Sequence, residues 1–178
     1  MDFSSFLVEF LAVALGVLGG FAANMLLEKM DERKERIRVL KLLKHELEVN
    51  LVRLLPVIRE NVQRISVPYA SLSFAIWDAL SDKVALIESD EAFGVITNAY
   101  YNLSTLDKAL DRFQDIAHKY LSASDWSAKY ELSKRVQSTR DTILAHIREP
   151  ENKDDRTLVL IIKEAMTAIE KELHRLDC

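Results

Sequence analysis

The sequence predicts an all-α protein in which an N-terminal transmembrane helix is followed by a cytoplasmic bundle of about four helices. Three observations lead there. Only 4 Gly and 3 Pro occur in 178 residues, too few turn-formers for a many-stranded β fold, whereas Leu, Ala, Glu and Lys are abundant and favour helix. All 24 Lys and Arg residues lie beyond residue 27, so the first 27 residues are a chemically distinct segment. The remainder repeats apolar residues at helical spacing. At 49% hydrophobic and 29% charged, the chain is too apolar for disorder and too charged for a multi-span membrane protein.

Residues 10–27 read FLAVALGVLGGFAANMLL without a charge. Extended back to residue 6, the stretch is long enough as a helix, roughly 33 Å at about 1.5 Å per residue, to cross a hydrocarbon core of about 30 Å. No Lys or Arg precedes it, as a cleaved signal peptide would require, so an uncleaved anchor over residues 1–27 is expected. Lys29, Arg33, Lys34, Arg36, Arg38, Lys41 and Lys44 follow it. By the positive-inside rule they place residues 28–178 in the cytoplasm and the N-terminus outside a cell membrane crossed once. Glu9, Ala12, Gly16, Gly20 and Asn24 fall on one helical stripe. Small residues there permit close approach of a second helix, with Asn24 as a hydrogen-bonding group, so the lipid bilayer and either a second copy or a partner membrane protein are the expected partners.

Beyond the anchor, Met30, Ile37, Leu40, Leu47, Leu51 and Leu54 share the a and d positions of one heptad frame. Val39, Leu42 and Leu43 widen the apolar face beyond a two-residue seam, which favours a bundle within one chain over a coiled coil. Pro56 should kink or end this helix near Leu54. Residues 66–77, SVPYASLSFAIW, are uncharged but too short to span. Tyr69, Phe74 and Trp77 there would suit a membrane interface, or the segment is a connector and short helix that caps the bundle with Trp77 as a core plug.

Three further helices follow. Ser89 or Asp90 can cap one beginning near Glu91, whose apolar face runs from Ala92 through Ile96, Leu103, Leu110 and Phe113; a run to Leu121 and a split at the capping-box pattern of Ser104 and Asp107 are both open. Ser124 or Asp125 can cap the next, through Trp126, Tyr130, Val136, Ile143 and Ile147, before a surface loop at 149–155. The last carries Leu158, Ile161, Ile162, Ala165, Ile169 and Leu173 on a face wide enough for a central position.

Chemistry-bearing patterns are sparse. Asp107, Asp111, Asp115 and His118 share a stripe, and Asp115-x-x-His118 has the carboxylate–imidazole spacing used in bundle metal sites. A second such pair is missing, and Lys108 and Arg112 interleave the acids, so a self-paired solvated face is the simpler expectation and no metal or other cofactor is assigned. His45, His146 and His174 stand singly among charged neighbours and read as surface residues. Nucleotide-binding glycine motifs and a Gly-x-Ser-x-Gly elbow are absent from the sequence. A net charge of -4 and a pI near 5.6 offer nucleic acid no basic surface. The lone Cys178 excludes an intramolecular disulfide framework. Asn98, Tyr100, Tyr101 and Asn102 are either polar groups lining a pocket or a hydrogen-bonded packing layer.

The order of an N-terminal span, HisGluLeuGluValAsnLeu at 45–51, Trp77-Asp78-Ala79-Leu80, and AlaTyrTyrAsnLeu at 99–103 resembles a loose group of small prokaryotic membrane-anchored helical proteins of unknown function. The resemblance implies this architecture and a prokaryotic source, and supplies no activity. Function is therefore expected to be noncatalytic: a membrane-anchored scaffold or regulator that self-associates through its first helix. The alternatives are a metal-dependent or hydrolytic enzyme built on Asp111, Asp115 and His118, and a membrane-perturbing effector acting through residues 66–77.

Overall fold

The computed structural model describes the backbone of residues 3–59, 72–80, 82–147 and 157–177, and the side chains of these except at 3–12, 14, 55–59 and 85. Among the described residues the protein is all-helical and contains no strand. The elements are α1 (Phe3–Arg59), α2 (Ala75–Ala79), a single 3-10 turn (Val84–Leu86), α3 (Asp90–Ser122), α4 (Trp126–Ile147) and α5 (Leu158–Asp177). The chain forms two compact units, Met1–Arg38 and Val39–Cys178, with α1 contributing to both.

The first unit is helix alone. Short ion pairs at i,i+3 spacing, Lys34 to Asp31 at 3.3 Å and Arg38 to Glu35 at 4.0 Å, lace its charged end. The expected transmembrane segment, and with it the single-pass location with a cytoplasmic C-terminal part, is corrected here: among the described residues no helix is long and apolar enough to cross a membrane. The described apolar run at the start of α1 ends at Leu27, and the charged tract that begins at Glu28 is too polar to extend an apolar span. The side chains of Glu9 and Ala12, part of the expected stripe, lie outside the described residues.

The second unit is a helical bundle, and its core explains its elements. Val39, Leu40, Leu43, Leu47 and Leu54 of α1 join Ile96, Leu103, Leu106, Leu110 and Phe113 of α3, Val136, Ile143 and Ile147 of α4, and Leu158, Ile162 and Ile169 of α5 in one buried cluster. Each set recurs at three- and four-residue steps, so one stripe of each helix faces the core. Because Leu40, Leu47 and Leu54 are spent on this intrachain core, the heptad frame they share serves the bundle. Helix α3 packs extensively on both α4 and α5, which touch each other far less, so α3 lies between them.

Helix starts follow the capping chemistry. Ser89 Oγ accepts the Ala92 N–H at 3.2 Å to open α3, and Asp125 Oδ2 accepts the Ala128 N–H at 2.9 Å to open α4. Two boundaries that the sequence leaves open are set by the fold. Helix α1 continues past Pro56 to Arg59, because a proline removes one backbone hydrogen bond without forbidding the turn beyond it. Helix α3 is unbroken at Ser104 and Asp107, since Leu103, Leu106 and Leu110 on the core side hold that turn in register, which outweighs a local cap. The loop expected at 149–155 and Tyr69 lie outside the described residues.

Candidate functional site

Glu46 is the most constrained polar group in the bundle. It sits on α1 one residue before Leu47 and is 1% exposed, where a carboxylate normally requires compensating partners. Four donors supply them. Oε1 accepts the Ser73 hydroxyl at 3.0 Å and the Ile76 N–H at 2.9 Å; Oε2 accepts the Trp77 N–H at 2.9 Å and the Tyr100 hydroxyl at 3.0 Å. The carboxylate thus caps the N-terminal turn of α2 from another helix. One turn later on the same face, Asn50 donates from Nδ2 to the Ser73 carbonyl at 2.8 Å and accepts the Ser73 N–H through Oδ1 at 2.7 Å.

Around this clasp the aromatic rings close the site. Trp77 stacks on Tyr100 with centroids 4.2 Å apart, and Phe74, Ile76 and Leu80 pack against the core beside it. Burial, reinforced by the negative charge of Glu46, pushes the Tyr100 phenol well above its ordinary range, so it is a permanent donor near neutral pH. The arrangement fastens the segment containing α2 onto α1 and α3. The carboxylate accepts two hydrogen bonds on each oxygen, all from donors within the chain.

The polar cluster expected at 98–102 separates. Tyr100 points into the clasp, whereas Tyr101 is 71% exposed and Asn102 bonds back to Asn98 along the surface of α3. Among the acidic stripe, Asp111, Asp115 and His118 are exposed and Asp115 is paired with Lys119 at 2.6 Å. Partial burial and the neighbouring Asp111 raise the Asp107 carboxyl. Among the described residues no group of three or more His, Cys, Asp or Glu side chains converges to hold a metal ion. His146 is not the surface residue its sequence context suggested. It is half-buried beside a groove of about 320 Å³ between α3 and α4, floored by Leu106, Ala109 and Ile143, and its buried Nε2 has no hydrogen-bond partner among the described residues.

Two surfaces carry apolar side chains outward. On α1, Val13, Leu15, Val17, Leu18, Phe21, Met25, Leu26, Leu27 and Met30 are all about half to two-thirds exposed, and a Cβ added at Gly16, Gly19 or Gly20 would meet nothing within 4 Å. Gly16, Gly20 and Asn24 remain on a common stripe of that helix. The other surface is the start of α4, where Trp126 and Tyr130, expected on an apolar core face, instead point to solvent. Tyr130 and Trp126 fall about two and three turns ahead of Val136, the first buried residue of α4.

Nothing in the sequence announces the clasp, because Glu46 and Asn50 read as an ordinary charged helix until their partners, 23 to 54 residues away, are placed. The only signal was composite: the segments at 45–51, 77–80 and 99–103 on which the resemblance rested are those that supply Glu46, Asn50, Trp77 and Tyr100. In comparisons with known proteins the chain matches no family model, no curated protein and no solved structure.

Proposed function

We propose that the chain is a noncatalytic interaction protein, in which the bundle is a folded platform and the apolar segment of α1 is a surface for association with a second copy of the chain. The observation that carries this is the exposure of nine large apolar side chains between residues 13 and 30. Each is worth about 1.5–3 kcal/mol when fully buried, and contiguous apolar surface on this scale marks an interaction site. Gly16 and Gly20 support a close helix–helix approach. A glycine inside a helix costs roughly 0.5–1 kcal/mol relative to alanine, and none of the described residues crowds either position.

The test is the oligomeric mass of the full-length protein by sedimentation, with and without lipid vesicles. Self-association is expected, and Gly16→Ile with Gly20→Ile should shift the population toward monomer while the helix content is retained. A monomer at all concentrations, an oligomer indifferent to both substitutions, or binding to vesicles without self-association would each overturn the proposal.

A further inference from the structure

We propose that the corner formed by the end of α3 and the start of α4 docks an acidic, proline-containing peptide segment of a partner protein, a site separate from the apolar stretch of α1. Trp126 is 78% exposed, more than any other large apolar residue described, and Tyr130 is 49% exposed. Their rings lie nearly parallel, 9° apart with centroids at 5.6 Å. The Lys134 ammonium sits 4.2 Å from the Tyr130 centroid. Indole, phenol and ammonium therefore form a ladder at i, i+4 and i+8 along one face of α4. Lys129 extends it sideways, its ammonium 5.5 Å from the Tyr120 ring on α3, beside the exposed Leu121.

Three features fix the partner's chemistry. Rings held by stacking lose little freedom on binding, and exposed Trp and Tyr faces are the usual platforms for proline rings of an extended polyproline-type segment. The local charge is positive in an acidic chain. At this corner Lys119, Lys129, Lys134 and Arg135 outnumber Asp115, Asp125 and Glu131, whereas the whole protein carries -4. Lys119 is neutralised by Asp115 and Lys134 is shared with Glu131 at 3.5 Å, while no carboxylate among the described residues pairs with Lys129, so the surface complements a few acids rather than a polyanion. The spacing agrees as well. Trp126 and Lys134 are about 12 Å apart along the helix at about 1.5 Å per residue, which a polyproline segment covers in about four residues at about 3.1 Å each. A proline on the indole thus places an acid three or four residues on at Lys134.

The experiment is a fluorescence-anisotropy titration of a labelled 12-residue peptide of alternating Glu and Pro with the full-length protein. A Ser-Pro peptide and an oligothymidine of similar length serve as comparisons. Binding of the Glu-Pro peptide is expected, weakened by salt, at least tenfold weaker in Trp126→Ala, retained in part by Trp126→Phe, and lost in the Lys129→Glu, Lys134→Glu double variant. Trp126 is outside the core, so circular dichroism should report unchanged helix content. Gly16→Ile and Gly20→Ile should leave the titration unaltered, which separates this site from the proposed self-association. Absence of Glu-Pro binding, equal binding of the Ser-Pro peptide, tighter binding of oligothymidine, or an unaltered titration for Trp126→Ala would each overturn the proposal.

Discussion

Trp77 lies flat on Tyr100, their planes 18° apart, and both residues donate to the same oxygen of Glu46, one through its backbone amide and the other through its hydroxyl. A short helix, a long helix and a buried carboxylate are thereby tied at one point. The stacking shields the hydrogen bonds from water, which strengthens them, and makes the loss of any member costly.

Glu46→Ala should therefore destabilise the bundle by roughly 3–5 kcal/mol, since it strands four donors in a dry site. Glu46→Gln should cost less, about 2 kcal/mol, because one oxygen remains as acceptor while the new amide N–H faces existing donors. Urea unfolding of the two variants measures both. A loss below about 1 kcal/mol in Glu46→Ala would contradict the clasp.

Tyr100→Phe removes one donor to the carboxylate and should cost about 1.5–3 kcal/mol at neutral pH. The folded phenol titrates above its unfolded value of 10.0. Its contribution is therefore fully present below about pH 10 and is lost as the pH rises beyond that, where the unfolded chain ionises first. Chemical denaturation from pH 8 to 11 should show the stability gap between wild type and Tyr100→Phe narrowing only at the alkaline end.

Asp107→Asn is expected to stabilise slightly at pH 7. Burial, and then Asp111, raise the folded carboxyl above 3.8, so ionisation penalises the native state at neutral pH and the penalty vanishes below the unfolded value. Solvent screening of a partly exposed group keeps the effect small, a rise in Tm of about 1 °C. Thermal melts at pH 7 and pH 3.5 distinguish this from a pH-independent packing effect, which would persist in acid.

How much of this was legible in the sequence follows from how local each signal is. Leu103, Leu106 and Leu110 declare the inner face of α3 by spacing alone, and Ser89 and Asp125 announce their helix starts because a cap acts within three residues. Asp107 looked like part of a second cap, yet the core contacts of its neighbours overrule it, a competition decided only in three dimensions. Trp126 and Tyr130 are apolar but lie roughly 80–120° around α4 from the stripe of Val136, Ile143 and Ile147 at about 100° per residue, so their side chains face outward while that stripe faces the core. Glu46 was illegible, since burial of its charge depends on donors remote in sequence.

Gly94→Ala should raise stability by about 0.5–1 kcal/mol. The residue lies inside α3 with nothing within 4 Å of an added Cβ, so the gain is the backbone freedom no longer surrendered on folding. Thermal unfolding measures it, and a loss of stability would contradict the prediction.

The long reach of the clasp also sets an order of events during synthesis. Glu46 leaves the ribosome 27 residues before Ser73 and 54 before Tyr100, so a nascent chain ending ahead of α3 carries a carboxylate on the apolar side of α1 with too few donors to bury it. At an elongation rate of about 5–20 residues per second, that interval is roughly 3–11 s. Over those seconds Leu43, Leu47 and the surface around them remain open to chaperones, and only the arrival of Tyr100 lets the first half of the bundle close.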